Sequence, residues 1–364
     1  VKRVAIVVLG VMTVACGPGF APADRIDRTR IIDARAHAPG DPTRAWMLPG
    51  ETATIEYLVV SETPTTDLLH TEFVGCEQAS SSGVNGISGC VGPTFDAATG
   101  DVPSAMMPDF TRTLTVPPDI VPSYSTFVLG YLGACVAQPS RFLDLSFSDG
   151  LPTLDPLAPD VTCSGGARSE LYRYLVQVVP DVRLANRNPN IRDERYYFGD
   201  VLWTAPLPSV PASGCASMPP STSLPFVRMG PPSCDTHHHV CADGSPATSE
   251  LSFSVSPDDR EYYPAFDADG QPTMGHETID VGHYITLGAI PSATHIDDTT
   301  GDTVSATWQW PRYGDPSTST LAQLGYDVEH SGLSAGLLVR FWFVARDHRS
   351  GSDWVERDLC LTTR

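Results

Sequence analysis

Along most of this chain, apolar residues recur at every second position in short runs, and clusters of Gly, Pro, Ser, Asn and Asp separate the runs. A period of two puts alternate side chains on one face of an extended backbone, so it predicts strands rather than helices. After the turn Pro49-Gly50-Glu51, Ala53, Ile55, Tyr57 and Val59 fall on one face, with Thr52, Thr54 and Glu56 on the other over the first half. Strands are predicted over 31–38, 48–60, 68–76, 111–117, 125–137 and 169–180 in the N-terminal half. In the C-terminal half they are predicted over 249–256, 277–288, 303–311 and 336–347, the last folding back through a turn at His348 to Gly351 onto SDWVERDLCLTT. No capped amphipathic helical run exceeds two turns, and 33 Pro and 30 Gly oppose long helices.

The two groups of strands meet at LANRNPNI (184–191), an Asn-Pro turn. A chain of 364 residues is long enough for two domains. The pattern predicts an all-β protein with two antiparallel β-sandwiches in tandem, over 30–185 and 186–364. The second carries a Pro/Ser/Gly-rich insertion over about 205–247. Pro49-Gly50-Glu51-Thr52, Asn186-Arg187-Asn188-Pro189, Trp308-Gln309-Trp310-Pro311 and the hairpin from Val339 to Leu361 together resemble immunoglobulin-like or PKD-like domains of bacterial lipoproteins. That resemblance implies immunoglobulin-like sandwiches and no particular chemistry.

The first residues have the layout of a secretory signal: basic Lys2 and Arg3, an apolar run from Val4 to Ala15, then Cys16. The run is too short to span a bilayer. Thr13-Val14-Ala15-Cys16 resembles the lipobox of bacterial lipoproteins, with Thr13 where an aliphatic residue is usual. The resemblance implies cleavage of residues 1–15, acylation of Cys16, a flexible tether over 16–29 and outer-membrane anchoring, since no Asp follows Cys16.

Export changes how the cysteines read. Of nine, eight remain besides Cys16: Cys76, Cys90, Cys135, Cys163, Cys215, Cys234, Cys241 and Cys360. An even set in an oxidising compartment predicts four disulfides, with Cys76–Cys90 and Cys135–Cys163 as plausible pairs clamping insertions at strand ends.

The formal charge of −20 disfavours nucleic acid and anionic lipid as direct partners. The only lysine is Lys2, in the leader. Without it, Ser-Lys dyads, Schiff bases and Walker-type phosphate loops are excluded from the mature chain.

Candidate chemistry is sparse. In CDTHHHVC (234–241), His237 and His239 share a side of an extended segment and could hold zinc or copper. The alternative is a surface loop closed by Cys234–Cys241, which export favours. FDADGQPTMGHE places Asp267, Asp269 and Gly270 in the order of a calcium loop, but Gln271 and Thr278 occupy its other ligand positions, so it reads as an Asp-Gly turn. In GHETIDVGH, a strand sends His276 and His283 to opposite faces, unlike a zincin helix. Asp297, Asp298 and Asp302 offer exposed carboxylates for loose calcium binding. Trp203, Trp308, Trp310, Trp342 and Trp354 could form a sugar platform or pack in cores. No G-x-S-x-G is present.

The expectation is a non-enzymatic, membrane-anchored envelope lipoprotein, structural, adhesive or ligand-binding, with no cofactor and a protein or glycan partner. The alternatives are a metal-dependent hydrolase or metal-binding protein using His237 and His239, and a carbohydrate-binding module using exposed tryptophans.

Overall fold

The computed structural model describes residues 25–26, 28–61, 68–78, 90–103, 110–122, 126–136, 140–143, 145–148, 151–154, 160–166, 169–198, 201–203, 226–228, 234–235, 240–241, 248–266, 272–291, 293–298, 301–309 and 337–362. Among them there is no α-helix, and the chain is all-β, as the period-two pattern predicts.

In the first half, β1 (Arg30–His37), β2 (Thr52–Val60), β3 (Leu68–Gln78), β4 (Cys90–Pro103), β5 (Phe110–Thr115) and β6 (Phe127–Val136) precede four short strands. These are β7 (Ser140–Leu143), β8 (Leu145–Ser148), β9 (Leu151–Leu154) and β10 (Asp160–Cys163), and β11 (Ser169–Gln177) follows them. Two antiparallel sheets result, ordered β1-β2-β5 and β11-β6-β3-β4. Ala53, Ile55, Tyr57 and Val59 of β2 meet Phe73, Val128, Leu132 and Val176 of the facing sheet in one core.

The second half runs β12 (Ile191–Phe198), β13 (Val201–Trp203), β14 (Phe226–Arg228), β15 (Cys234–Asp235), β16 (Val240–Cys241), β17 (Thr248–Val255), β18 (Tyr262–Phe266) and β19 (Pro272–His276). It closes with β20 (Ile279–Ile285), β21 (Ala293–Ile296), β22 (Thr303–Gln309), β23 (Leu337–Arg346) and β24 (Ser352–Thr362). Its sheets are β13-β12-β17-β22 and β14-β24-β23-β20-β21. Leu251, Phe253, Val281, Ala306, Trp308, Phe341 and Phe343 fill the core between them.

The halves share one plan. In each, the first, second and fifth principal strands form one sheet, and the seventh, sixth, third and fourth form the other. That is the immunoglobulin-like order, A-B-E facing G-F-C with a C′ edge.

The sequence pattern missed β4, whose Gly, Pro and Asp are tolerated because it is an edge strand zipped onto β3. It missed the charged β12, where the register shifts between Arg192 and Arg195 and Asp193 takes φ 49°. The expected strand 277–288 is shortened to β20, Ile279–Ile285, and His276 ends the separate β19 before it.

The two sandwiches pack against each other. The alternation of β2 breaks at Leu58 and Val60, which point away from their own core and join Ile32, Trp342 and Val344 in a shared cluster. A bulge in β1 between Ile31 and Asp33 turns Ile32 to that same side. Ile26 is also buried there, its N–H donating to Ile285 O at 2.8 Å, so the stretch expected as free tether is docked at Ile26.

Candidate functional site

The seam is organised by the turn between β23 and β24. Asp347 is buried, and its Oδ1 accepts the N–H groups of Arg349 and Gly351, both at 2.8 Å. His348 and Ser350 sit at φ 61° and 74°, an uncommon conformation for residues with a Cβ. The fold holds them there. Asn186 Nδ2 donates to Asp347 Oδ2 at 2.6 Å, Trp46 Nε1 to Arg349 O at 2.6 Å, and the Tyr174 hydroxyl to Ser350 O at 2.7 Å. Each of these donors lies in the first sandwich or the junction.

Charged pairs extend the contact. Buried Asp33 receives Arg346 Nε at 3.0 Å, Ser352 Oγ at 2.6 Å and the Tyr172 hydroxyl at 2.9 Å. Arg35 pairs with Glu56 and Asp353 and lies over the Trp354 ring, 4.1 Å from its centroid. Such buried pairs are costly to break because each leaves a charge without its partner. Asp33 follows two isoleucines in β1, the kind of carboxylate that stays inside only with a cation waiting across the seam.

Beside this turn lies an open cleft of about 610 Å³. Its walls come from Trp46, from the junction residues Val182, Arg183, Leu184 and Arg187, and from Asp258, Glu261, Tyr262, Tyr263 and Pro264. Arg349 spans the floor, over Trp46 at 4.5 Å and over Tyr263 at 4.7 Å. Among the described residues the large exposed apolar side chains are few, and Val182 (51%), Leu184 (38%) and Tyr262 (69%) all line this cleft.

Under the cleft, Arg349 NH1 donates to Glu277 Oε1 at 2.6 Å and lies 3.6 Å from Glu261. Burial, reinforced by the Asp347 carboxylate, pushes Glu277 from an ordinary 4.5 up to about 7. The folded chain therefore keeps this proton over a range where the unfolded chain has lost it. Its contribution to stability is fully present below 4.5 and is lost as pH rises through 7. Over that window, Glu277→Gln is expected to flatten the pH dependence of the unfolding free energy read by urea titration, by up to about 3 kcal/mol. Parallel curves for parent and variant would refute the assignment.

The residues singled out in the sequence are scattered. Cys135 and Cys163 form a disulfide, the expected pair. Cys76 is buried and disulfide-bonded. Cys90 stands opposite Gln78 where β4 begins, with its side chain outside the described residues. Cys234 and Cys241 face each other across β15 and β16, and Cys360 lies in β24, their side chains likewise outside. Cys16, Cys215, His237, His239, Asp267, Asp269 and Trp310 lie outside the described residues, although β18 and β19 do pair across the Asp-Gly segment.

Several of the other candidates have structural roles. His283 is a core residue: buried, edge-on to Phe253 and Phe343, its Nδ1 2.8 Å from Pro291 O, and pushed down to about 4 by burial. His276 does not share a strand with it. Asp298 and Asp302 serve buried Arg260, at 2.7 and 3.6 Å. Trp308 is fully buried with Nε1 donating to Leu287 O at 2.9 Å, and Trp342 is buried at the seam, so neither ring is a sugar platform. Among the described residues, no group of three or more His, Cys, Asp or Glu is placed to hold a metal, and no helix is long and apolar enough to cross a membrane.

No family model matches the sequence, and no curated protein is significantly similar to it. Among solved structures, it is similar to a Salmonella alpha-2-macroglobulin reacted with methylamine, at 8% identity and a TM-score of 0.21 over 94% of this chain. A mutant of the same protein gives 7% and 0.19 over 93%. The chain spans 17% of the length of each. At such scores the likeness carries no argument, and the fold assignment rests on strand order.

Proposed function

We propose that this chain is a non-enzymatic, lipid-anchored protein of the outer membrane, whose paired sandwiches form one body and present the seam cleft to a ligand or envelope partner. The observation that carries the reading is the gathering of Val182, Leu184 and Tyr262 at a single cleft on an otherwise strongly acidic chain. Exposed apolar side chains gathered within a polar rim mark interaction sites. The charged groups beneath the cleft are paired with one another, Arg349 with Glu277 and Glu261, which suits a display scaffold. The anchor reading is supported by the apolar run that stops at Cys16.

Two arms test this. Cys16→Ser is expected to move the chain from the membrane fraction to the soluble fraction and to remove the acyl mass from its N-terminus. An unchanged distribution would refute the anchor. Cross-linking in intact cells should capture a ligand that Val182→Asp with Leu184→Asp no longer captures. Equal capture by the variant would move the binding site elsewhere.

A further inference from the structure

We propose that the seam cleft takes a neutral saccharide whose ring stacks on Tyr262. This deepens the reading of the cleft as the binding site and rests on it.

Tyr262 is 69% exposed, yet its ring is held. The β18–β19 register sets it directly opposite His276, and the two rings stack 4.2 Å apart and 6° from parallel. His276 is itself fixed, pairing with Asp298 through Nδ1 and lying 3.2 Å from Arg260 O through Nε2. One ring face is therefore backed by imidazole, and Tyr262 borders the cleft. A flat aromatic surface ordered in advance loses little conformational entropy when a ligand settles on it. The C–H face of a pyranose is the complementary shape.

The polar rim selects further. Arg183 and Arg187, with side chains 85% and 60% exposed, supply donors, while Asp258 and Glu261 supply acceptors. A sugar hydroxyl both donates and accepts, so it can use either kind of group. A singly charged ligand would meet its own sign on one wall or the other. A polyanion would also be repelled by the net charge of −20. The volume, about 610 Å³, falls within the usual range for small-ligand sites.

The test uses the full mature chain, with saturation-transfer NMR and calorimetry against β-1,4-linked tetramers of glucose and of N-acetylglucosamine. A galacturonate tetramer and a proline-rich peptide serve as comparisons. At least one neutral tetramer is expected to bind at millimolar concentration or better. Tyr262→Ala should weaken it about tenfold or more with an unchanged unfolding midpoint, and Tyr262→Phe should retain it. No binding of either neutral tetramer, equal binding by Tyr262→Ala, or preference for galacturonate or peptide would overturn the proposal. If that happens while cellular capture still depends on Val182 and Leu184, the saccharide is wrong and the cleft reading survives.

Discussion

Replacing Trp342 with Ala is expected to destabilise the protein by about 3–5 kcal/mol and to split one unfolding transition into two. Trp342 projects from the outer face of β23, where an isolated sandwich would leave it in water. Instead it is buried against Ile32, Leu58 and Val60 of the first sandwich and Val344 beside it. Its indole N–H donates to Glu356 Oε2 at 2.9 Å, so truncation removes a large apolar group and strips that carboxylate of a donor. The cavity would open at the seam rather than in either core, which is why the loss should appear as decoupling. Urea titration followed by circular dichroism reads both effects. A loss below about 1 kcal/mol would mean the two bodies touch without supporting each other.

The second large effect is expected from Cys135→Ala with Cys163→Ala. The bond closes a loop of 28 residues and ties β10 to the end of β6. In the chain-entropy account a loop of that length contributes about 3.6 kcal/mol by restricting the unfolded state. Cys135 also packs with Val74, Leu129, Tyr131 and Val161, so the pair holds the inserted strands against the outer face of the β11-β6-β3-β4 sheet. The urea midpoint should fall correspondingly in the double variant, and adding a reductant to the parent, which also opens the Cys76 disulfide, should lower it at least as far. A midpoint unmoved in both would show that packing alone secures the insertion.

Much of this fold is legible in the sequence because its principal strands are buried on one face, and a half-buried strand must alternate. β22 shows this over its whole length, and β2 over its first half. What escapes is of two kinds. The edge strand β4 carries Gly, Pro and Asp because one side of its ladder is left unpaired, and β12 carries charge where its register shifts. The seam escapes for a different reason. Leu58, Val60, Trp342 and Val344 are apolar where alternation calls for polar residues, so the sequence reports a second burial without naming what covers it. Asp33 and Asp347 carry the same message in reverse, as carboxylates that reach partners more than 150 positions away, Ser352 for Asp33 and Asn186 for Asp347.

The cleft itself was not legible. Nothing in the sequence marks Tyr262, and His276 stands out only beside a zincin motif, until β18 and β19 pair and stack their rings. Val182 and Leu184 belong to a junction that looks like a linker, and only the docking of Trp46 and Arg349 beside it turns that junction into a wall.

The central claim is that the two sandwiches behave as one cooperative body. Amide hydrogen exchange at Val128 to Ala134 in β6 and at Val339 to Ala345 in β23 tests it most directly, because those amides report the cores of the first and second sandwich. In the parent chain both sets should exchange through a single opening of equal free energy, and Trp342→Ala should separate them. Two different opening free energies in the parent, unaltered by Trp342→Ala, would contradict the account.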